Sequence, residues 1–227
     1  MKETESQKIA VVIGATGLVG SELINQLISS KEIKTIITLS RRPLKQSADK
    51  LQNHVIDFDD LGQYKDLIKG DLFFSCLGTT RKQAGSTAAQ IKVDFEYQLK
   101  AAQIASENGI PHYLLVSSSG ANANSSFAYM KMKGALEEQV KTLPFKRVSI
   151  FQPSLLLGNR TKARVGEFMA GMVMPTLCKI PGLHSYRPIS GKQVASKMTE
   201  VALREGAALE YFVLNDVFPE KDDNLRR

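Results

Sequence analysis

Residues 9–13 (Ile-Ala-Val-Val-Ile) are apolar throughout and break at once into Gly14-Ala15-Thr16-Gly17-Leu18-Val19-Gly20, after which 18–29 is amphipathic. An apolar strand that turns through glycines into a helix opens a βα unit. Glycines let the main chain reverse sharply and let an anionic group approach its N–H groups. The positive end of a helix starting near Leu18 then points at that anion. The spacing is G-x-x-G-x-x-G, which departs from the dinucleotide pattern G-x-G-x-x-G. Any tight strand-to-helix turn favours glycine. A position at the head of a series of βα units is what makes Gly14, Thr16, Gly17, Leu18, Val19 and Gly20 a candidate phosphate-binding turn.

The same alternation continues downstream. Strands are expected at 35–39, 54–56, 71–75, 113–116 and 147–151, with helical segments at 61–68, 88–108 and 127–142. Gly109 suits a helix C-terminus. In the first helix Leu18, Leu23, Leu27 and Ile28 are placed to form the buried face. Strands that are apolar throughout and separated by helices imply a parallel sheet covered on both faces. The fold class is therefore α/β, a doubly wound Rossmann fold with a mostly parallel sheet. Past Pro153 the pattern weakens: 158–186 is punctuated by Gly and Pro around a Met-rich stretch, then a helix at 193–203, a strand at 211–214 and a polar tail follow. The expected organisation is one domain over 1–227, with a cofactor-binding core at 8–157 and a small substrate or lid region at 158–227. Phe168, Met169, Met172 and Met174 are the expected apolar wall of that lid.

Several function classes are excluded. The net charge is +7 over 227 residues, but Lys and Arg are scattered with no aromatic interleaving, which argues against nucleic acid. Cys76 and Cys178 are the only cysteines, so neither a disulfide framework nor a zinc site is expected and a reducing compartment fits. The apolar runs are strand-length, too short to span a bilayer. Residues 1–8 are polar and mixed in charge, unlike a secretory signal. A cytoplasmic protein is the expectation.

The ends of the strands carry the chemistry. The second runs into Ser40-Arg41-Arg42, where an NAD-specific fold usually has an acidic residue for the ribose 2′-hydroxyl. Arg41 and Arg42 suit a 2′-phosphate instead, through charge-assisted hydrogen bonds. Asp57 follows the third strand, where it can meet an adenine or cap the next helix. Cys76-Leu77-Gly78-Thr79-Thr80 ends the fourth strand with small residues that leave room for a ligand. Cys76 itself reads as a buried, inert thiol. The fifth strand leads into Ser117-Ser118-Ser119, and the next helix carries Tyr129 and Lys133. A spacing of four sets those two on one helix face. A tyrosine of pKa about 10 is ionised to about one part in a thousand at neutral pH. A neighbouring ammonium favours the phenolate, and a serine hydroxyl can polarise a substrate carbonyl.

In that order — glycine turn, arginine pair, serines after a strand, then Tyr129 and Lys133 — the chain resembles the short-chain dehydrogenase/reductase superfamily, specifically its atypical, extended-like members. It is most similar to the Tat-interactive-protein-like oxidoreductases, through Cys76-Leu77-Gly78-Thr79-Thr80-Arg81 and Ser117-Ser118 with Gly120-Ala121. The resemblance covers most of 8–165. It implies NADP(H) as cofactor, Tyr129 as acid/base, and Lys133 holding the nicotinamide ribose while lowering the tyrosine pKa. It further implies that Leu77, Gly78, Leu156 and Arg164 line the cofactor. For the polarising serine, other extended reductases point to Ser119 and the nearer relatives to Ser118; both stay open.

The expected function is an NADPH-dependent carbonyl reductase acting on a small carbonyl or alcohol substrate. A non-catalytic NADP(H) sensor is the first alternative. A nucleotide-sugar epimerase or dehydratase is the second, and the short stretch after Gly158 argues against it.

Overall fold

The computed structural model describes residues 7–157 and 187–219. Within them the chain runs β1 (Lys8–Ile13), α1 (Leu18–Ser29), β2 (Ile33–Ser40), β3 (Leu51–Val55), a 3-10 segment (Leu61–Leu67), β4 (Leu72–Ser75), α2 (Arg81–Ala84) and α3 (Thr87–Ile91). A π-helical turn (Lys92–Glu96) leads into α4 (Tyr97–Glu107), then β5 (His112–Val116), α5 (Ala128–Lys141), β6 (Arg147–Gln152) and β7 (Leu156–Leu157). From residue 187 onward come β8 (Ile189–Ser190), α6 (Gly191–Leu203) and β9 (Leu209–Val213).

One sheet has the order β3-β2-β1-β4-β5-β6-β9, and every pairing in it is parallel. Successive side chains of a strand face opposite ways, so each strand must satisfy two cores. Ala10, Val12, Phe74 and Leu114 pack with α1 and α6. Val11, Ile13, Phe73 and Leu115 pack with the 3-10 segment, α4 and α5. That double demand is why the adjacent central strands β1 and β4 are apolar on both faces over residues 9–13 and 72–74. The chain winds from β1 out to β2 and β3, then returns to β4 on β1's other side. The crevice beyond the carboxyl ends of β1 and β4 is the switch point where such sheets bind ligands.

Several expectations need correction. The buried face of α1 is Val19, Gly20, Leu23, Ile24 and Leu27, with Leu18 and Ile28 at its half-buried margins. The third strand is Leu51–Val55 rather than 54–56, because an edge strand carries polar residues such as Gln52 and Asn53 that hide it from an apolar-run reading. The single helix expected over 88–108 is interrupted by the π-helical turn, which carries the buried Asp94.

The boundary after residue 157 also misplaces part of the chain. Of the expected lid region, 189–217 belongs to the Rossmann layers: α6 packs in the same core as α1, and β9 pairs with β6. Ser190 and Gln193 close a reciprocal capping box that starts α6. Arg147 donates to Glu210 at 3.0 Å, tying β6 to β9. Arg164 and the lid residues Phe168, Met169, Met172 and Met174 lie outside the described residues. No helix among the described residues is long and apolar enough to cross a membrane.

Candidate functional site

The glycine turn is built into the sheet's carboxyl edge. Gly14 sits at φ +79°, and a Cβ there would fall 2.3 Å from the main-chain carbon of Cys76. Only glycine lets the loop after β1 lie against the loop after β4. A Cβ at Gly20 would fall 2.2 Å from the carbonyl oxygen of Gly14, so α1 can leave the turn this closely only without a side chain. Gly17 donates its N–H to that carbonyl at 2.8 Å and takes the N-cap position of α1. No side chain caps this helix, and its first turn holds no acidic residue. The first-turn N–H groups are thus presented to an anion without a competing carboxylate. The side chain of Val19 is buried in the core, so only its main chain faces the turn.

Arg41 and Arg42 stand exposed just beyond β2, and neither guanidinium has an ion pair among the described residues. Their turn is held from below. The Ser40 hydroxyl donates to the carbonyl of Arg42 at 2.7 Å, and the Asn53 amide bonds Ser40 at 2.9 Å and Thr38 at 2.8 Å. Asp57 accepts the N–H of Asp59 at 2.9 Å, closing a local turn, while Asp60 occupies the N-cap of the 3-10 segment. Asp57 therefore does not take the cap of that segment, one of the two roles open to it from sequence, and Asp60 makes no side-chain cap hydrogen bond there.

Beyond β4, Leu77 is half-buried and Gly78 exposed beside the glycine turn. Cys76 is buried, and desolvation pushes its thiol up to about 12, which keeps it protonated and unreactive. The N–H of Thr79 donates to Asp94 at 2.7 Å, so the loop that would line a cofactor hangs on a buried carboxylate. The Gln98 amide in turn bonds the main-chain carbonyl of Asp94 at 2.8 Å, and Ser75 donates to Gln98 at 2.8 Å.

Helix α5 brings Tyr129 and Lys133 to the end of β5. Lys133 is 3% exposed, and its Nζ donates to the carbonyl of Val116, the last residue of that strand, at 3.0 Å. Burial pulls the lysine's pKa down; the charges of Asp94 and then Glu137 oppose that pull. Tyr129, one helical turn earlier on α5, is 37% exposed. Of the three serines, Ser117 is buried and donates to Glu137, so it is committed to the protein's interior. Ser118 and Ser119 are half-buried, and the N–H of Ser119 is fixed to the carbonyl of Pro153 at 3.0 Å. Leu156 is half-buried in β7, beside β8.

The structure therefore gathers the glycine turn, Leu77, Gly78, Ser118, Ser119 and Lys133 along one carboxyl edge, with the arginines at the end of the adjacent β2. Asp94, Glu137, Gln98 and Gln152 escaped the reading of the sequence. Glu137 had a visible signal, since it follows Lys133 by one helical turn, but a glutamate on an amphipathic helix is ordinarily solvated. These residues fit a nicotinamide dinucleotide: a glycine cradle that a Cβ would fill, an uncapped helix end for the diphosphate, and two exposed guanidiniums at the ribose position.

Comparison with known proteins agrees with this geometry. The model of the NAD dependent epimerase/dehydratase family matches residues 10–204. Protein HTATIP2 of Rattus norvegicus is 36% identical over 167 residues, 72% of this chain and 69% of its own length. The mitochondrial protein fmp52 of Emericella nidulans is 37% identical over 176 residues, 74% of this chain and 76% of its own. Among solved structures, a short chain dehydrogenase family protein from Francisella tularensis subsp. tularensis SCHU S4 superposes with a TM-score of 0.68 at 15% identity, covering 90% of this chain and 96% of its own. MoeE5 in complex with UDP-glucose and NAD superposes with a TM-score of 0.67 at 15% identity, covering 92% and 79%. At such identities these two show the shared fold.

The cytoplasmic expectation does not stand, because the fungal relatives are named as mitochondrial proteins. Two distant cysteines speak against an oxidising compartment, and that criterion does not choose among reducing ones. Fold, glycine turn and the match over most of its length lead to one conclusion: the chain belongs to the NAD dependent epimerase/dehydratase family, the extended branch of the short-chain dehydrogenase/reductases.

Proposed function

We propose that the protein is an NADPH-dependent oxidoreductase that reduces a carbonyl group on a small molecule. The observation that carries this reading is Lys133, a buried ammonium anchored to the end of β5 one helical turn from Tyr129. NADPH, held by the glycine turn and the two arginines, would supply the hydride for the carbonyl carbon. Tyr129 gives its phenolic proton to the carbonyl oxygen, so the products are the alcohol and the oxidised dinucleotide. Lys133 holds the ribose and eases loss of that proton by its charge. Ser118 or Ser119 donates a hydrogen bond to the carbonyl oxygen. The N–H groups at the start of α1 receive the diphosphate, and Arg41 and Arg42 the 2′-phosphate that distinguishes NADPH from NADH. Leu77, Gly78 and Leu156 wall the cofactor, and Asp57 meets the adenine end.

The test is a panel of aliphatic, aromatic and quinone carbonyls assayed by NADPH oxidation, alongside calorimetric titration with NADPH and NADH. Turnover with NADPH preferred is the expected result. Tight NADPH binding without turnover on any carbonyl would instead mark a cofactor-sensing protein, and absence of binding would dispose of both.

A further inference from the structure

We infer that Glu137 is a positioning residue of this site: one buried carboxylate that ties the loops after β5 and β6 to helix α5 and supplies, with Asp94, the counter-charge for Lys133. The inference rests on the proposed role of Lys133, and its evidence is the bonding of Glu137 together with its burial one helical turn from Lys133 on α5. Glu137 is 4% exposed. Its Oε1 accepts the Ser117 hydroxyl, and the side-chain amide of Gln152 reaches Oε1 and Oε2, both at 3.0 Å. Ser117 is the first residue after β5, and Gln152 the last of β6. One side chain thereby fixes two neighbouring strand ends to the helix that carries Tyr129 and Lys133.

Ser117 and Gln152 both act as donors to this carboxyl group, which is the environment of an ionised acceptor. Burial works the other way and prevails, so its pKa is raised overall, although Ser117, Gln152 and the charges of Lys133 and Lys141 pull it down. The groups acting on Lys133 come from three directions: Asp94 from the π-helical turn before α4, Glu137 from α5 itself, and Cys76 from the end of β4. With Cys76 held as the neutral thiol, Asp94 and Glu137 are the two anions. An ammonium 3% exposed keeps its charge only if such anions offset its lost hydration. The serine loop and the lysine charge thus depend on the same glutamate.

The test is a pH titration of Lys133 in the cofactor-free full chain labelled with 13Cε-lysine. Its resonance is assigned by its disappearance in Lys133→Met. In Glu137→Gln, which keeps shape and removes charge, the Lys133 midpoint is expected to fall by about one pH unit or more. Glu137→Asp, which restores the charge, should return it towards the wild-type value. A midpoint unchanged in Glu137→Gln overturns the inference, as does a midpoint that falls equally in Glu137→Asp. Should Glu137→Gln fail to fold, Ser117→Ala carries the test. Loss of that donor makes Glu137 easier to protonate, so the midpoint should fall in the same direction by less, and no fall overturns the inference. The outcome is independent of turnover. NADPH affinity left intact by Lys133→Met would count against the cofactor role of Lys133 and leave the titration result standing.

Discussion

Lys133 donates its ammonium to the carbonyl oxygen of Val116 at 3.0 Å, joining helix α5 to the last residue of β5 across seventeen positions of sequence. The lysine therefore has a structural bond as well as a proposed bond to the cofactor, and it is buried where Tyr129 is 37% exposed. The two residues should separate on mutation. Tyr129→Phe keeps the ring and removes the exchangeable proton. It is expected to lower kcat by about 10²–10⁴-fold with NADPH affinity nearly unchanged. Lys133→Met should weaken NADPH binding as well, and losing the donor to Val116 should cost about 1–3 kcal/mol of stability. Steady-state kinetics, calorimetry and urea denaturation of both variants check this. A Tyr129→Phe enzyme as fast as wild type would end the proposed mechanism.

Arg41 and Arg42 are exposed and without ion pairs among the described residues, so their removal should disturb little except an anionic ligand. NADPH is expected to bind at least about tenfold more tightly than NADH, since a hydrogen bond to a charged group contributes roughly 1.5–3 kcal/mol. In the double variant Arg41→Ala/Arg42→Ala that preference should collapse while NADH affinity and thermal stability hold. Equal affinities in the wild type, or a preference surviving in the variant, would falsify this assignment.

Gly14→Ala places a methyl group against the main chain of Cys76 and forces alanine to φ +79°. The backbone strain alone is worth about 1–3 kcal/mol. Relief would require the loops after β1 and β4 to part, which removes the cradle. Urea denaturation should show the destabilisation, and calorimetry the loss of dinucleotide binding. A variant of wild-type stability that still binds would show that the turn is not as tightly seated as described.

His112, buried and bonded to Ser149 at 2.9 Å, has its pKa pushed down to about 3 from 6.5, chiefly by desolvation and further by the charge of Arg147. Between those two values the unfolded chain takes up a proton that the folded protein refuses. Stability therefore rises with pH across this window and is lost as pH falls from 6.5 towards 3, at most about 1.4 kcal/mol per pH unit. Comparing wild type with His112→Gln isolates this group. Between about pH 6.5 and about pH 4.5 the wild type should lose about 2 kcal/mol more than the variant. Equal losses would mean that His112 is protonated in the folded state.

The amino-acid sequence determined the α/β class, the alternation of elements and the place of the glycine turn. Each depends on local patterns: β1 is apolar at all six positions but its first lysine because it feeds two cores, and α1 spans Leu18–Ser29 as its periodicity predicts. The order of motifs likewise placed Tyr129 and Lys133 one turn apart on α5. Only the tertiary structure decided what burial decides. Ser117, which adjoins the candidates Ser118 and Ser119, is committed to the interior because Glu137, twenty residues on, accepts its hydroxyl. Asp94 became the support of the Thr79 loop because a π-helical turn faces it inward, and no regular helical periodicity marks that position. Residues 209–213 joined the sheet rather than a lid because β6 offered them an unpaired edge. A charged side chain far from its partner in sequence reads as solvated until packing removes the water around it. For Asp94, Lys133 and Glu137 that removal is the work of the fold.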